Sequence, residues 1–217
     1  MPAKKTGSKL CQSPLNSQRC RHYLLVMEDI ESVLDEARAC RLCEAELPLG
    51  PNPIFRISRD ARILIASQAP GTKAHISGIP FDDASGRRLR EWLGVTPEVF
   101  YDRANFAILP LGLCYPGRGA AGDAPPRREC APLWRSRLLA QATGVKLTLL
   151  IGSHSQNHVL GKGLMTERVR GFQDHLPDVF PLPHPSWRST GWMRRNPWFE
   201  ANVLPVLRAE VQQLLRT

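Results

Sequence analysis

Short, continuous runs of hydrophobic residues recur along the chain and are separated by segments in which apolar positions follow helical spacing. A short apolar run bounded by turn residues is typical of a buried strand. The first run, ARILIAS, leads into the turn formed by Pro70 and Gly71. The runs that predict buried strands are residues 61–67, 105–112, 146–153 and 179–185.

Three segments show the spacing of a helix. Residues 27–39 place acidic side chains in the first turn, and residues 85–95 form a second predicted helix. In residues 196–216 we expect Asn196 to be the N-cap and Pro197 to occupy the first helical position. Strands that alternate with helices predict an α/β fold, a three-layer α/β/α sandwich with a central four-stranded parallel sheet.

In folds of this class, ligands bind beyond the carboxyl ends of the parallel strands. Three loops are expected to meet at that edge, and any chemistry of the protein is expected in them. They are residues 67–86 (SQAPGTKAHISGIPFDDASG), 110–119 (PLGLCYPGRG) and 184–192 (HPSWRSTGW).

Composition narrows the class of protein. With 217 residues and 42% hydrophobic content, the chain is long enough for one domain, or for one domain with a tail. No apolar run approaches the roughly 18 residues of a membrane span, so no membrane partner is expected. The net charge of +9 favours a polyanionic partner such as nucleic acid, with a merely basic surface as the alternative.

Residues 1–26 contain five Lys or Arg residues and no Asp or Glu. They do not resemble a signal peptide. A basic arm, a transit peptide and an over-long gene start are the alternatives, but the composition favours a disordered tail. We therefore predict that the folded domain spans residues 27–217.

The cysteines form two pairs. Cys40 and Cys43 make a C-x2-C directly after the first predicted helix, and Cys114 is separated from Cys130 by fifteen residues. Four thiolates in two pairs suit zinc or an iron-sulfur cluster, since both take four Cys ligands. Free thiols or a disulfide are the alternative.

The motifs of the three loops and the cysteine pairs together resemble the uracil-DNA glycosylase superfamily, nearest to its iron-sulfur branch, the family-four and family-five enzymes. The resemblance covers about residues 36–216. Its motifs, in order, are the C-x2-C, Ser67-Gln68-Ala69-Pro70-Gly71, Gly78-Ile79-Pro80-Phe81, Ser85-Gly86, the later cysteine pair, and His184-Pro185-Ser186.

The resemblance implies a monofunctional DNA repair enzyme that hydrolyses the N-glycosidic bond of uracil in DNA and leaves an abasic site. It implies a four-iron four-sulfur (4Fe-4S) cluster with a structural role on Cys40, Cys43, Cys114 and Cys130, with zinc as the alternative. The expected partner is DNA containing uracil. We expect a monomer in the cytoplasm of a bacterium.

By the same resemblance, Phe81 stacks against the base and His184 donates a hydrogen bond to its O2. Extrusion of the nucleotide from the stack requires a flat apolar partner, and negative charge that develops on the leaving base is stabilised by a placed donor. The other substrate-binding residues that it implies are Gln68, Ala69, Pro70, Gly71 and Ser186.

The sequence departs from the family in two places. Gln68 replaces the glutamate of the family-four loop and cannot supply a negative charge, so Asp83, or else Asp82, is our candidate for the catalytic carboxylate. Both aspartates have an alternative role as caps of the following helix. The asparagine that reads uracil is also missing. Asn105 and Asn157 are weak substitutes, His75 is a weaker catalytic candidate, and excision of other deaminated bases stays open.

The loop after His184 combines aromatic residues with cations, which suits a wedge that fills the vacated stack, flanked by phosphate contacts. Packing against the last helix is the alternative, and Trp198 is assigned to it. Trp192 or Met193 is the predicted wedge. The residues assigned to DNA binding are Trp187, Arg188, Trp192, Met193, Arg194 and Arg195.

Two other functions remain open. An iron-sulfur-stabilised nucleic-acid-binding module without catalysis would account for the missing glutamate and asparagine. A zinc protein that acts on a small nucleotide would account for the cysteines and would be colourless.

Overall fold

Two sheets organise the molecule in a computed structural model that describes residues 29–119 and 122–216. The predicted tail, residues 1–26, lies outside the described residues. The strands are β1 (Ile63–Ala66), β2 (Phe106–Ile108), β3 (Arg118–Gly119), β4 (Gly122–Asp123), β5 (Leu147–Ile151) and β6 (Val179–Leu182). The main sheet is parallel with the order β2-β1-β5-β6, and each of its strands lies in a predicted apolar run.

Helices connect the parallel strands. They are α1 (Ile30–Arg38), α2 (Thr72–Ser77), α3 (Ala84–Leu93), α4 (Pro97–Tyr101), α5 (Cys130–Leu139), α6 (Gly152–Leu160), α7 (Met165–Arg170), α8 (Ser189–Arg195) and α9 (Leu204–Arg216). Short 3-10 helices cover Glu44–Glu46 and Phe172–His175, and a π-helical turn covers Phe199–Val203. Within residues 29–119 and 122–216, no helix has both the length and the apolar character needed to cross a membrane.

Alternate side chains of each strand point to opposite faces of the main sheet. Ile63 and Ile65 of β1 are buried on the face covered by α3 and α9. Leu64, between them, is buried on the face covered by α1 and α5. Helices therefore cover both faces, and the predicted three-layer α/β/α sandwich is confirmed.

The start of the last helix was predicted incorrectly. Asn196 does not cap it, because its side-chain amide donates a hydrogen bond back to the carbonyl of Trp192 at 2.8 Å and so closes the end of α8. The chain then passes through the π-helical turn, which begins at Phe199, before α9 begins at Leu204. The sequence did not predict α8, and the cap was assigned to the wrong boundary for that reason.

The antiparallel pair of β3 and β4 is separate from the main sheet and was not predicted. It lies in the connection between β2 and α5. Segments rich in Gly and Pro carry no hydrophobic periodicity, so the usual sequence signal for a strand is missing here.

Candidate active site

A broad, open pocket lies at the carboxyl edge of the parallel sheet. Its walls come from the segments that follow β1, β2, β5 and β6, where Ser67, Pro110, Gly152 and His184 lie. The three loops predicted to meet at this edge all contribute to the lining. Parallel strands bring these loops together because their carboxyl ends share one edge.

Most side chains singled out in the sequence line this pocket. They are Gln68, Ala69, Pro70, Gly71, Phe81, Asp83, His184, Ser186, Trp187, Arg188 and Trp192. Of the main catalytic, substrate-binding and DNA-binding candidates, Asp82, Met193, Arg194 and Arg195 lie outside the lining. Apart from Asp82, the main catalytic and substrate-binding candidates thus lie in one pocket. Of the residues assigned to DNA binding, only Trp187, Arg188 and Trp192 line it.

Phe81 is held in the pocket wall by an unusual turn. Its backbone φ of 58° lies in the left-handed region, which a bulky residue rarely adopts. A Cβ at Gly86 would overlap the Phe81 carbonyl oxygen and lie 2.8 Å from the Phe81 Cβ, so only glycine allows this approach. The half-buried ring rests edge-on against Phe100, with centroids 6.2 Å apart.

Asp83 combines the two roles that the sequence left open. Its Oδ1 accepts a hydrogen bond from the Gly86 N–H at 2.8 Å, so it caps α3. It also lines the pocket, and its charge raises the pKa of His184. Asp82 is exposed and lies outside the lining.

His184 follows β6 and is largely enclosed. The Ser189 hydroxyl donates to the His184 carbonyl, which fixes the loop. Burial lowers the pKa of His184 below its ordinary value, and this outweighs the opposite effects of Asp83 and Asp123. The imidazole is therefore neutral near neutral pH, with one N–H donor and one acceptor.

Asp123 is a site residue that the sequence reasoning missed. It lines the pocket at the end of β4, and its Oδ2 lies 3.5 Å from the point where a Cβ on Gly71 would be. The segment that contains Asp123 is attached to the loop after β1, since the Gln68 side-chain amide donates a hydrogen bond to the Ala124 carbonyl at 2.9 Å. A lone aspartate in a Gly- and Pro-rich segment carries no motif that could have identified it.

The loop after His184 places its two pocket tryptophans differently. Trp187 is 74% exposed at the mouth of the pocket, and the Arg188 guanidinium lies 5.3 Å from its ring centroid. Trp192 packs against the core, where its indole N–H donates to the Thr166 hydroxyl at 2.8 Å. Met193 also packs against the core. Trp187 is thus the aromatic side chain of this loop that is free to contact a ligand.

The weak candidates lie elsewhere. Asn105 precedes β2, so it lies at the opposite edge of the sheet, and its amide donates to the Val99 carbonyl. The Oδ1 of Asn157 accepts from Arg168. His75 is outside the pocket lining, and its Nδ1 is buried without a hydrogen-bond partner. The structure brings none of the three to the pocket.

Comparison with known proteins identifies the family. Residues 55–208 match the Uracil DNA glycosylase superfamily. The chain belongs to this superfamily. A candidate uracil DNA glycosylase from Methanosarcina acetivorans, solved by solution NMR, is similar at 13% sequence identity with a TM-score of 0.42. The match covers 73% of this chain and 98% of that one.

In this superfamily member the four cysteines line a second, smaller pocket. Cys40 and Cys43 follow α1, Cys114 follows β2, and Cys130 begins α5. All are half-buried free thiols. Apolar side chains complete the lining, which includes Leu42, Leu47, Pro51, Pro53, Leu113, Leu133 and Trp134.

Residues that line this pocket carry several N–H donors. The Leu113 N–H donates to the Cys130 sulfur at 3.2 Å, and Arg127 donates to Cys43. Trp134 Nε1 and Arg127 Nε, which belong to lining residues, are buried without a partner. N–H donors around thiolates in an apolar setting fit an iron-sulfur cluster. In the described part of the chain, no three His, Cys, Asp or Glu side chains are arranged to hold a single metal ion.

Proposed function

We propose that the protein is a monofunctional base excision repair enzyme that hydrolyses the N-glycosidic bond of uracil in DNA and leaves an abasic site. The observation that carries the proposal is the convergence of Phe81, Asp83 and His184 in one open pocket. A flat partner for a base, a hydrogen-bond donor and a negative charge are the groups that this reaction requires.

The base enters the pocket after extrusion from the DNA stack, which costs roughly a few kcal/mol. Phe81 offers the flat surface against which it stacks, in a position fixed by Gly86. The Gln68 Nε2 donates one hydrogen bond to the Ala124 carbonyl, which orients this side chain. Base selectivity is proposed to rest on the remaining groups of that amide together with backbone groups of the lining, so we include other deaminated bases among the substrates.

His184 acts on the leaving group. As the bond to the sugar breaks, the base departs with the electron pair, and negative charge collects on its O2. The neutral imidazole donates its N–H to that oxygen. A preorganised donor of this kind is worth about 3 to 4 kcal/mol of barrier in analogous sites.

Asp83 supplies negative charge to the electron-poor sugar that the departing base leaves. One of its oxygens is bound to the Gly86 N–H, which fixes the carboxylate in the pocket wall.

Trp187 is proposed as the wedge in place of Trp192 or Met193. It is exposed beside the pocket, whereas the other two pack against the core. Arg188, Arg194 and Arg195 are proposed to contact phosphates. A monomer in the cytoplasm of a bacterium is part of the same proposal, because the resemblance to the family implies it.

Cys40, Cys43, Cys114 and Cys130 are proposed to hold a 4Fe-4S cluster. When bound, the cluster would tie the end of α1, the loop after β2 and the start of α5 together. It has a structural role and takes no part in the cleavage.

The test uses the full chain and an oligonucleotide with one uracil, followed by alkali to cut abasic sites. Hypoxanthine and xanthine substrates are run in parallel, and the visible spectrum is recorded. Strand scission is the expected result, with brown absorbance for the cluster. Folded protein that binds the DNA but cuts none of the substrates would overturn the proposal in favour of a binding module without catalysis.

A further inference from the structure

The lining of the pocket contains a second aspartate. Asp123 and Asp83 belong to different segments, one at the end of β4 and the other before α3. Both carboxylates line the same pocket as His184, and the charge of each opposes the lowering of the histidine pKa by burial. Asp123 reaches the loop after β1, where its Oδ2 lies 3.5 Å from the position of a Cβ on Gly71.

The two carboxylates differ in what they already bind. One carboxylate oxygen of Asp83 accepts the hydrogen bond that caps α3. Among the described residues, the Asp123 carboxylate takes part in no hydrogen bond or ion pair and is open to solvent. A carboxylate in the pocket lining that makes no other hydrogen bond is able to accept one from a water molecule.

The backbone around Asp123 is fixed although its side chain is free. Gln68 holds the Ala124 carbonyl at 2.9 Å, and the Ala124 N–H donates to the Gly117 carbonyl at 2.9 Å. Across the pocket mouth, the Arg188 guanidinium occupies the space where a side chain at Gly122 would begin. The Gln68 amide thus helps to position the segment that carries the Asp123 carboxylate. Gln68 itself has no charge.

We propose that Asp123 is a catalytic residue that binds and orients the attacking water, and that Gln68 is its positioning residue. This inference rests on the proposed glycosylase function. It leaves Asp83 as a fixed charge and a helix cap, and it assigns the two aspartates different tasks in the same pocket.

The proposed step balances as a hydrolysis. The bond between the sugar C1′ and the base nitrogen breaks, and its electron pair leaves with the base while His184 donates a hydrogen bond to O2. The water oxygen forms the new C1′–O bond and gives one proton to the Asp123 carboxylate. That proton passes to solvent, and the base anion takes up a proton after release.

The test compares three isosteric charge removals in the full-length protein: Asp123→Asn, Asp83→Asn and Asp60→Asn. Asn keeps the cap at position 83, and exposed Asp60 lies before β1, at the other edge of the sheet. We expect Asp123→Asn to slow single-turnover cleavage about 100-fold or more, as loss of a general base does. Its affinity for DNA and its melting temperature should match those of Asp60→Asn.

A second variant, Gln68→Leu, removes the hydrogen bond to Ala124 and keeps Asp123. It should slow cleavage less than Asp123→Asn, and it should lower kcat while leaving KM unchanged. The inference is overturned if Asp123→Asn cleaves as fast as Asp60→Asn, or if its loss of rate only parallels a loss of folding. Wild-type protein that cleaves no substrate would instead refute the proposed function itself.

Discussion

The catalytic pocket and the cysteine pocket are neighbours with opposite character. The first is open and carries His184, Asp83 and Asp123, whereas the second is lined by thiols and apolar side chains. The segment after β2 serves both, because Pro110 lines the first and Leu113 the second. The titratable side chains of the first pocket suit catalysis, whereas the thiols of the second suit a structural cluster.

This arrangement links the two pockets through one loop. The segment that carries Asp123 leaves the cysteine pocket at Cys114 and returns to it at Cys130. A cluster bound by Cys114 and Cys130 would therefore fix both ends of the segment that carries Asp123. Substitutions in the cysteine pocket should mainly lower the stability of the fold. Substitutions in the catalytic pocket should mainly lower the rate of cleavage.

The largest effect is expected in the cysteine pocket. Cys130→Ala should remove the visible absorbance and lower the free energy of unfolding by more than about 4 kcal/mol, the range typical of a lost metal site. Ser136→Ala, on the exposed side of the same helix, is the control. Urea unfolding followed by circular dichroism measures the difference. Equal unfolding midpoints for the two variants would show that Cys130 does not contribute to stability.

The next effect tests the catalytic pocket. His184→Ala should lower the single-turnover rate about 100- to 1000-fold, because a preorganised donor is lost at the leaving base. Its DNA affinity and melting temperature should change little. His158→Ala, an exposed histidine outside the pocket lining, is the matched control. A rate equal to that of the control would remove His184 from the reaction.

Gly86→Ala should affect stability and substrate binding together. The new Cβ would overlap the Phe81 carbonyl, so the turn must shift at a cost of roughly 1 to 3 kcal/mol. Gly191→Ala is the control, since its Cβ would meet only the Arg195 Nη1 at an ordinary 3.8 Å. Melting temperatures and KM for the uracil substrate are measured for both. An unchanged KM for Gly86→Ala would show that Phe81 need not be held in this position.

A smaller effect is expected at the DNA surface. Arg194→Ala should weaken binding to all sequences alike and reduce the slope of log K against log salt by about 1, as loss of a phosphate contact does. Arg216→Ala, at the end of α9, is the control. Fluorescence anisotropy between low and moderate salt measures both slopes. Identical slopes would place Arg194 outside the interface.

The smallest effect concerns pH. Burial lowers the pKa of His184, so below about pH 6.5 the unfolded chain binds a proton that the folded chain excludes. His184 therefore lowers stability as the pH falls, and His184→Ala should gain stability relative to wild type between pH 8 and pH 5. Thermal melts at both values test the sign. A relative loss of stability at pH 5 would mean that the histidine is protonated in the folded state.

The sequence predicted the parallel sheet and its layers because buried strands such as residues 61–67 show continuous apolar runs. It also predicted that the loops carrying Phe81 and His184 meet, since parallel strands share a carboxyl edge. Trp192 and Trp187 could not be told apart, because exposure depends on the unpredicted helix α8. Asp123 was missed because β3 and β4 lack hydrophobic periodicity, and because its place in the pocket depends on contacts between segments that are distant in the sequence.

The measurement that tests the central claim most directly is mass spectrometry of a uracil-containing oligonucleotide after single-turnover reaction in water enriched in oxygen-18. The account predicts free uracil and an oligonucleotide in which the base is replaced by one labelled hydroxyl group. His184→Ala should give the same products far more slowly. An oligonucleotide of unchanged mass, bound by folded wild-type protein, would contradict the claim.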